Sequence, residues 1–162
     1  MLYWGKILSA ILVNLEGNMA TCVFFGHRDS PTGWEKDLFY LLSDYIENKK
    51  VTSFYVGNNG NFDCSVRKVL KQLKGRYPQI HYAVVLAYLT EKLEADFEGN
   101  SLFPDGIEMV PRRFAIDYRN RWMIEQADFV VTYVTRSFGG AAKYKALSEK
   151  KGKTVINLAA KP

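Results

Sequence analysis

Along this chain the spacing of apolar residues switches repeatedly between short unbroken runs and a period of three to four. Thr21–Phe25 is a compact apolar run ending at Gly26, as a parallel strand buried on both faces requires. After the turn residues Pro31-Thr32-Gly33, Trp34, Leu38, Leu41, Leu42, Tyr45 and Ile46 recur at helical spacing up to Lys50. Residues 51–56 read as a second strand, closed by Gly57-Asn58-Asn59-Gly60. The next helix carries Phe62, Val66, Val69, Leu70 and Leu73 on one face and stops around Gly75 and Pro78. A third strand is expected over residues 81–89. Residues 90–116 hold no clean period and read as an irregular excursion with room for one short helix. Residues 117–127 are expected to be helical, 129–134 a fourth strand, 137–140 a turn, 141–151 a helix ended by Gly152, and 154–158 a final strand.

Strands and helices alternating at this spacing predict an α/β fold: a Rossmann-like three-layer sandwich with a mainly parallel sheet of about five strands and helices on both faces. No repeat, linker or low-complexity tract divides residues 19–162, so a single domain is expected there. Residues 1–18 are different. Leu2–Leu15 is apolar around a lone Lys6, but it lacks the charged start and cleavage site of a signal peptide and is too short to span a bilayer. Leu15-Glu16-Gly17 can be encoded by a purine-rich ribosome-binding sequence just ahead of Met19. Met19 is therefore the expected start and residues 1–18 a translated leader, with a flexible or amphipathic extension as the alternative.

Apolar residues make up 48% of the 162 and charged residues 24%, which excludes an intrinsically disordered chain. A net charge of +5 and a pI near 9.1 favour an anionic partner, and leave open whether it is a small phosphorylated ligand or nucleic acid. The lysines are dispersed over helices, not gathered into one basic stripe. Cys22 and Cys64 form no disulfide framework and are expected to be buried reduced thiols, which fits a cytoplasmic protein. With His27 and His81 the only histidines, no metal-ligand spacing exists and no metal is expected.

In an open parallel sheet, ligands bind beyond the carboxyl ends of the strands. Three glycine-bearing loops fall at that edge. Gly26-His27-Arg28 offers close backbone approach and a guanidinium fork for phosphate or carboxylate; it equally suits a plain turn with a packed histidine. Gly57, Asn58 and Gly60 can aim N–H groups at an anion ahead of a helix, and Asp63 either holds a ribose diol or caps that helix. Gly139-Gly140 precedes the last main helix, flanked by Arg136 and Lys143. Arg119 and Asn120 approach the same edge from the helix before the fourth strand, although a helical arginine is more often a surface residue. The convergence of the loops carries more weight than any one of them.

The ordered set Gly26-His27-Arg28, Gly57-Asn58-Asn59-Gly60-Asn61-Phe62-Asp63, Tyr118-Arg119-Asn120-Arg121-Trp122-Met123 with Asp128, Gly139-Gly140 and Lys151-Gly152-Lys153 resembles the SLOG superfamily. More narrowly, it is similar to a bacterial and phage branch whose first strand ends in Gly-His-Arg. The resemblance runs from about Met19 to Leu158. It implies a Rossmannoid site for a nucleotide or an ADP-ribose or NAD-derived signal, often in a homodimer, with roles in bacterial or phage defence. It also implies kinship with the LOG phosphoribohydrolases and with the DNA-processing protein A fold. The LOG enzymes carry a catalytic glutamate just after their glycine loop. Here Gly139-Gly140 is followed by Ala141-Ala142-Lys143-Tyr144, and the next carboxylate is Glu149, about two turns on.

Three functions follow, in this order. The first is binding of a phosphorylated nucleoside ligand without chemistry and without a further cofactor. The second is nucleotide N-glycosidase activity, with Asp63 as the remaining acid and Arg119 on the phosphate. The third is single-stranded nucleic-acid binding, which the aromatic content suits and the lack of a basic stripe does not. No membrane partner is expected.

Overall fold

A computed structural model describes residues 19–88 and 100–160. Its central element is strand β1 (Ala20–Gly26), whose residues from Cys22 to Phe25 are almost wholly buried. Successive strand side chains point to opposite faces. Cys22 and Phe24 accordingly enter one core and Val23 and Phe25 the other, which is why the run is unbroken. β1 pairs in parallel with β2 (Val51–Val56) on one side and β5 (Phe129–Tyr133) on the other. Outside these lie β3 (His81–Val85), β4 (Ser101–Leu102) and β6 (Thr154–Asn157), giving the order β4-β3-β2-β1-β5-β6 with every neighbour parallel.

Helices α1 (Glu35–Asn48) and α2 (Gly60–Arg76) cover the first face, bringing Leu38, Leu42, Phe62, Val66 and Leu70 against Phe24 and Phe54. Helices α3 (Ala115–Gln126) and α4 (Gly140–Lys150) lie on the second, with Met123, Ile124 and Tyr144 against Val23, Phe25 and Val130. The chain leaves β1 toward β2 and returns to place β5 on the opposite side. Between the carboxyl ends of β1 and β5 the connections therefore diverge and open a crevice, the usual ligand position in such sheets.

The Rossmann-like three-layer architecture with its mainly parallel sheet is as the hydrophobic pattern predicts, and three details go beyond or differ from that pattern. The sheet has six strands. The additional one, β4, is two residues long and shows no period; it is held by Val84 N–H to Asn100 O at 2.6 Å and Leu86 N–H to Leu102 O at 2.9 Å. The described part of the excursion contains two 3₁₀ turns, Ile107–Met109 and Arg112–Phe114, which lead straight into α3, so that helix starts at Ala115 and not at residue 117. Cys64 is only half-buried, whereas Cys22 is fully buried; both are free thiols. Residues 1–18 and 89–99, on which the leader and part of the excursion fall, lie outside the described residues.

The first strand and α2 meet without space to spare. A Cβ added at Gly26 would lie 2.1 Å from Cγ of Phe62, whose ring is fully buried and stacks obliquely on Trp34. Gly26→Ala should therefore cost about 1–3 kcal/mol as an overpacked contact. In urea unfolding, adding Phe62→Leu should recover part of that loss, and strictly additive effects would show that the two residues do not meet.

Candidate functional site

A cavity of about 460 Å³ opens at the carboxyl ends of β1, β2 and β5. That lies within the range of roughly 300–1,000 Å³ typical of small-molecule sites. Its walls come from the four elements that the glycine loops and Arg119 single out.

The β1 end supplies Gly26, His27, Arg28 and Asp29. His27 is buried and ties two loops together. Its backbone N–H donates to Tyr133 O at 3.2 Å, and its Nε2 accepts from the Thr135 N–H at 3.1 Å. An accepting Nε2 fixes the neutral imidazole with its proton on Nδ1. Burial, then the charge of Arg136, hold its pKa below the ordinary histidine value, against a smaller upward pull from Asp29. Arg28 extends from the same wall and is exposed. Its carbonyl accepts the Asn61 N–H at 2.8 Å, docking the start of α2 on the loop. Gly60 does not line the cavity; it makes this docking possible, with φ +91° and no room for a Cβ, which would lie 2.6 Å from Cα of Arg28.

Gly57, Asn59 and Asp63 form the β2 wall. The Asn59 N–H donates to Oδ2 of Asp63 at 2.9 Å, so the carboxylate does cap α2, reaching back along its first turn. It also faces the cavity, at 8% exposure. Burial pushes its pKa up to about 6, although the Asn59 N–H and the charges of Arg119, Arg67 and Arg28 all favour the ionised form. Gly57 separates this carboxyl from Arg119. A Cβ there would sit 2.8 Å from Oδ2 of Asp63 and 3.3 Å from Cζ of Arg119, so a side chain would displace the carboxyl and press on the guanidinium.

Arg119 is not a surface residue. At 3% exposure its guanidinium donates from Nε to Oδ1 of Asn120 at 3.0 Å, and from Nη1 to Oδ1 of Asn58 at 3.0 Å and to Val85 O at 3.2 Å. Burial lowers its pKa and Asp63 opposes that shift; an arginine nonetheless stays charged. Asn120 lines the cavity, while Asn58 stands behind it and holds Arg119.

The β5 side supplies Arg136, Gly139, Gly140, Ala141 and Tyr144. Gly139 caps α4 with φ +91° and no side-chain hydrogen bond. A Cβ at Gly139 would meet nothing within 4 Å, and one at Gly140 only the Tyr144 ring at 3.8 Å. The first turns of α1, α2 and α3 carry Glu35 and Asp37, Asp63, and Asp117; that of α4 carries no acid. Its N–H groups and positive dipole end are therefore uncompensated at the cavity.

Lys143 is not brought to the cavity. Its Nζ donates to Oδ1 of Asp117 at 2.8 Å, and the same carboxylate accepts from the Tyr144 hydroxyl at 2.7 Å and Nε of Arg121 at 2.8 Å. Partial burial works against the Asp117 charge, but these donors outweigh it and hold the carboxyl well below the usual range. Arg136 donates from Nη1 and Nη2 to Asp29 at 3.3 and 3.0 Å, with its guanidinium 5.4 Å from the centre of the exposed Phe138 ring. Its Nε is buried without a partner. Water screens the Asp29 side of the pair, and the unmet Nε donor burdens the present geometry, so this arrangement is weakly held. Glu149 is exposed and paired with Lys145 at 2.6 Å, away from the cavity.

Asp29, Ile116 and Tyr144 also line the cavity and are absent from the sequence-derived set. For Tyr144 the sequence does hold a cue, since it falls one turn after Gly140 on a stripe with buried Ala141 and Ser148. Among the described residues no group of three His, Cys, Asp or Glu could hold a metal, and no helix is long and apolar enough to cross a membrane.

No protein-family model matches the sequence, and no curated protein does. Among solved structures the chain is similar to the X-ray structure of DNA processing protein A (DprA) from Streptococcus pneumoniae, with a TM-score of 0.63 and 16% identity. The match covers 85% of this chain and 49% of the other, so this chain spans about half of that protein's length. At this identity the likeness concerns the fold: a Rossmann-like sheet of the kind that the SLOG resemblance implies.

Asp63 provides a pH signature. Its folded-state pKa is raised from 3.8 to about 6, so between those values the folded protein holds a proton that the unfolded chain has lost. Its contribution is most favourable below pH 4 and declines as pH rises through 6. The stability of wild type relative to Asp63→Asn should fall by up to about 3 kcal/mol across that window. A pH-independent difference in urea unfolding would show that the carboxyl titrates normally.

Proposed function

We propose that this cavity binds a phosphorylated nucleoside ligand, a nucleotide or an ADP-ribose or NAD-derived molecule, as a sensing or sequestering site. The observation that carries the reading is the uncompensated N-terminus of α4, open at a cavity on the switch point of the sheet. An anion there meets unpaired N–H groups and a helix dipole. Arg28 and Arg136 stand in the cavity walls and supply positive charge. Across the cavity, Asp63 in its ionised form accepts hydrogen bonds from vicinal hydroxyls, as a ribose requires. The buried Arg119 keeps positive potential on that side without leaving its three hydrogen-bond partners. The apolar wall of Phe24, Phe25, Ile116 and Tyr144 accommodates the rest of the ligand.

Asp63 supports a second reading, as a nucleotide N-glycosidase. A carboxyl whose pKa is pushed up to about 6 still holds its proton in part of the molecules near neutral pH. It can deliver that proton to the departing base as the C–N glycosidic bond breaks. Water then adds to the anomeric carbon and returns a proton to the carboxylate. Base release that disappears in Asp63→Asn would support this reading; release that persists would remove Asp63 from it.

Thermal unfolding against AMP, ADP, NAD and ADP-ribose tests the binding reading. A ligand at a hundred times its dissociation constant should add about 2.7 kcal/mol. Gly140→Asp places a carboxylate in the open first turn of α4, where it should raise the stability of the free protein by about 0.3–1 kcal/mol and abolish the ligand shift. A ligand shift that survives Gly140→Asp would move the phosphate away from α4. No shift from any of the four compounds would overturn the reading and bring a nucleic-acid partner forward.

A further inference from the structure

Resting on that reading, the geometry points to Asp29 as a built-in competitor for the ligand phosphate: it occupies the Arg136 guanidinium in the free protein and yields it when the anion binds. Both side chains line the cavity beside Gly139-Gly140, and Arg136 is the guanidinium that follows β5 into that turn. Its two terminal nitrogens are engaged by one carboxylate, the geometry in which arginine also takes a phosphate.

Three features make the exchange accessible. Asp29 is largely exposed, with 71% of its side chain accessible, so releasing it into water costs little. The Nε of Arg136 is buried with no acceptor, a burden that the present position carries and a shifted guanidinium would not. The ring of Phe138, exposed and adjoining Gly139, offers the guanidinium a flat surface along which to move, and stacking tolerates such sliding better than a directed hydrogen bond does.

His27 is buried and neutral, its pKa lowered by burial and by Arg136, and it offers no competing anion. Arg28, next to Asp29 in sequence, is a cation with no carboxylate at salt-bridge distance among the described residues. Asp63, the other acid of the cavity, lies on the β2 wall with Arg119. Asp29 is thus the carboxylate that an incoming phosphate must replace at Arg136. The replacement favours a phosphate with two or three free oxygens over a carboxylate, which gains nothing over Asp29.

Calorimetric titration of the full chain with AMP, ADP-ribose and inorganic pyrophosphate tests this, using wild type, D29N, R136Q and D29N/R136Q. Removing the competitor should tighten binding of the phosphate probes in D29N, by roughly fivefold for an exchange of this strength. R136Q should weaken binding, and the double variant should match R136Q, because Asp29 acts only through Arg136. A control variant, D44N on the outer face of α1, removes one negative charge elsewhere and should leave affinity unchanged. Equal affinity in wild type and D29N, or equal gains in D29N and D44N, would overturn the competitor role while leaving the binding site intact. No binding of any probe to either wild type or D29N would overturn the site and the competitor together.

Discussion

Arg119 keeps a positive charge almost out of reach of water, and the carboxyl edge of the sheet is arranged around that fact. An ion so placed is tolerable only when its donors are met. Asn58 comes from the β2 loop, Asn120 from the same helix, and the Val85 carbonyl from the end of β3, so one guanidinium joins three elements. Gly57 suits the same requirement, because a side chain there would displace the Asp63 carboxyl and press on the Arg119 guanidinium. Asp63 in turn cannot move freely, since it also receives the Asn59 N–H at the head of α2. The cavity exists where these obligations leave space.

Polarity is divided unevenly around that space. Acids occupy the first turns of three helices and are absent from the fourth, and the lining cations less buried than Arg119, which are Arg28 and Arg136, come from the β1 and β5 loops. One wall can therefore accept hydroxyl donors while the opposite wall attracts an anion. Lys143, which adjoins the anion-attracting wall in sequence, is drawn off by Asp117 and contributes to structure instead.

Much of this was legible from residue order. The doubly buried run of β1, the β2 boundaries and the three glycine loops follow from period and turn chemistry, and ten of the thirteen residues singled out at the edge do line the cavity. The rest was lost for identifiable reasons. β4 is too short to show alternation and pairs only because the excursion returns alongside β3. The burial of Arg119 was hidden by its type, although its position between buried Ala115 and Met123 at four-residue intervals places it on the inward stripe of α3. Asp29 and Asp117 matter through partners about a hundred and about twenty-six residues away, Arg136 and Lys143, a relation that no local pattern contains.

The Asp117 carboxylate has a mechanical consequence. By taking donors from Arg121 on its own helix and from Lys143 and Tyr144 on the next, it rivets α3 to α4. On the opposite side, the Asn61–Arg28 bond fastens α2 to the β1 loop. The cavity is then the gap between two stiff jaws. Side-chain ties cross it, from Arg119 to Asn58, and from His27 to Thr135 and Arg136 to Asp29 between the β1 and β5 loops. A gap tied in this way can change its width by lengthening a few hydrogen bonds at its rim, with the two apolar cores beneath left packed.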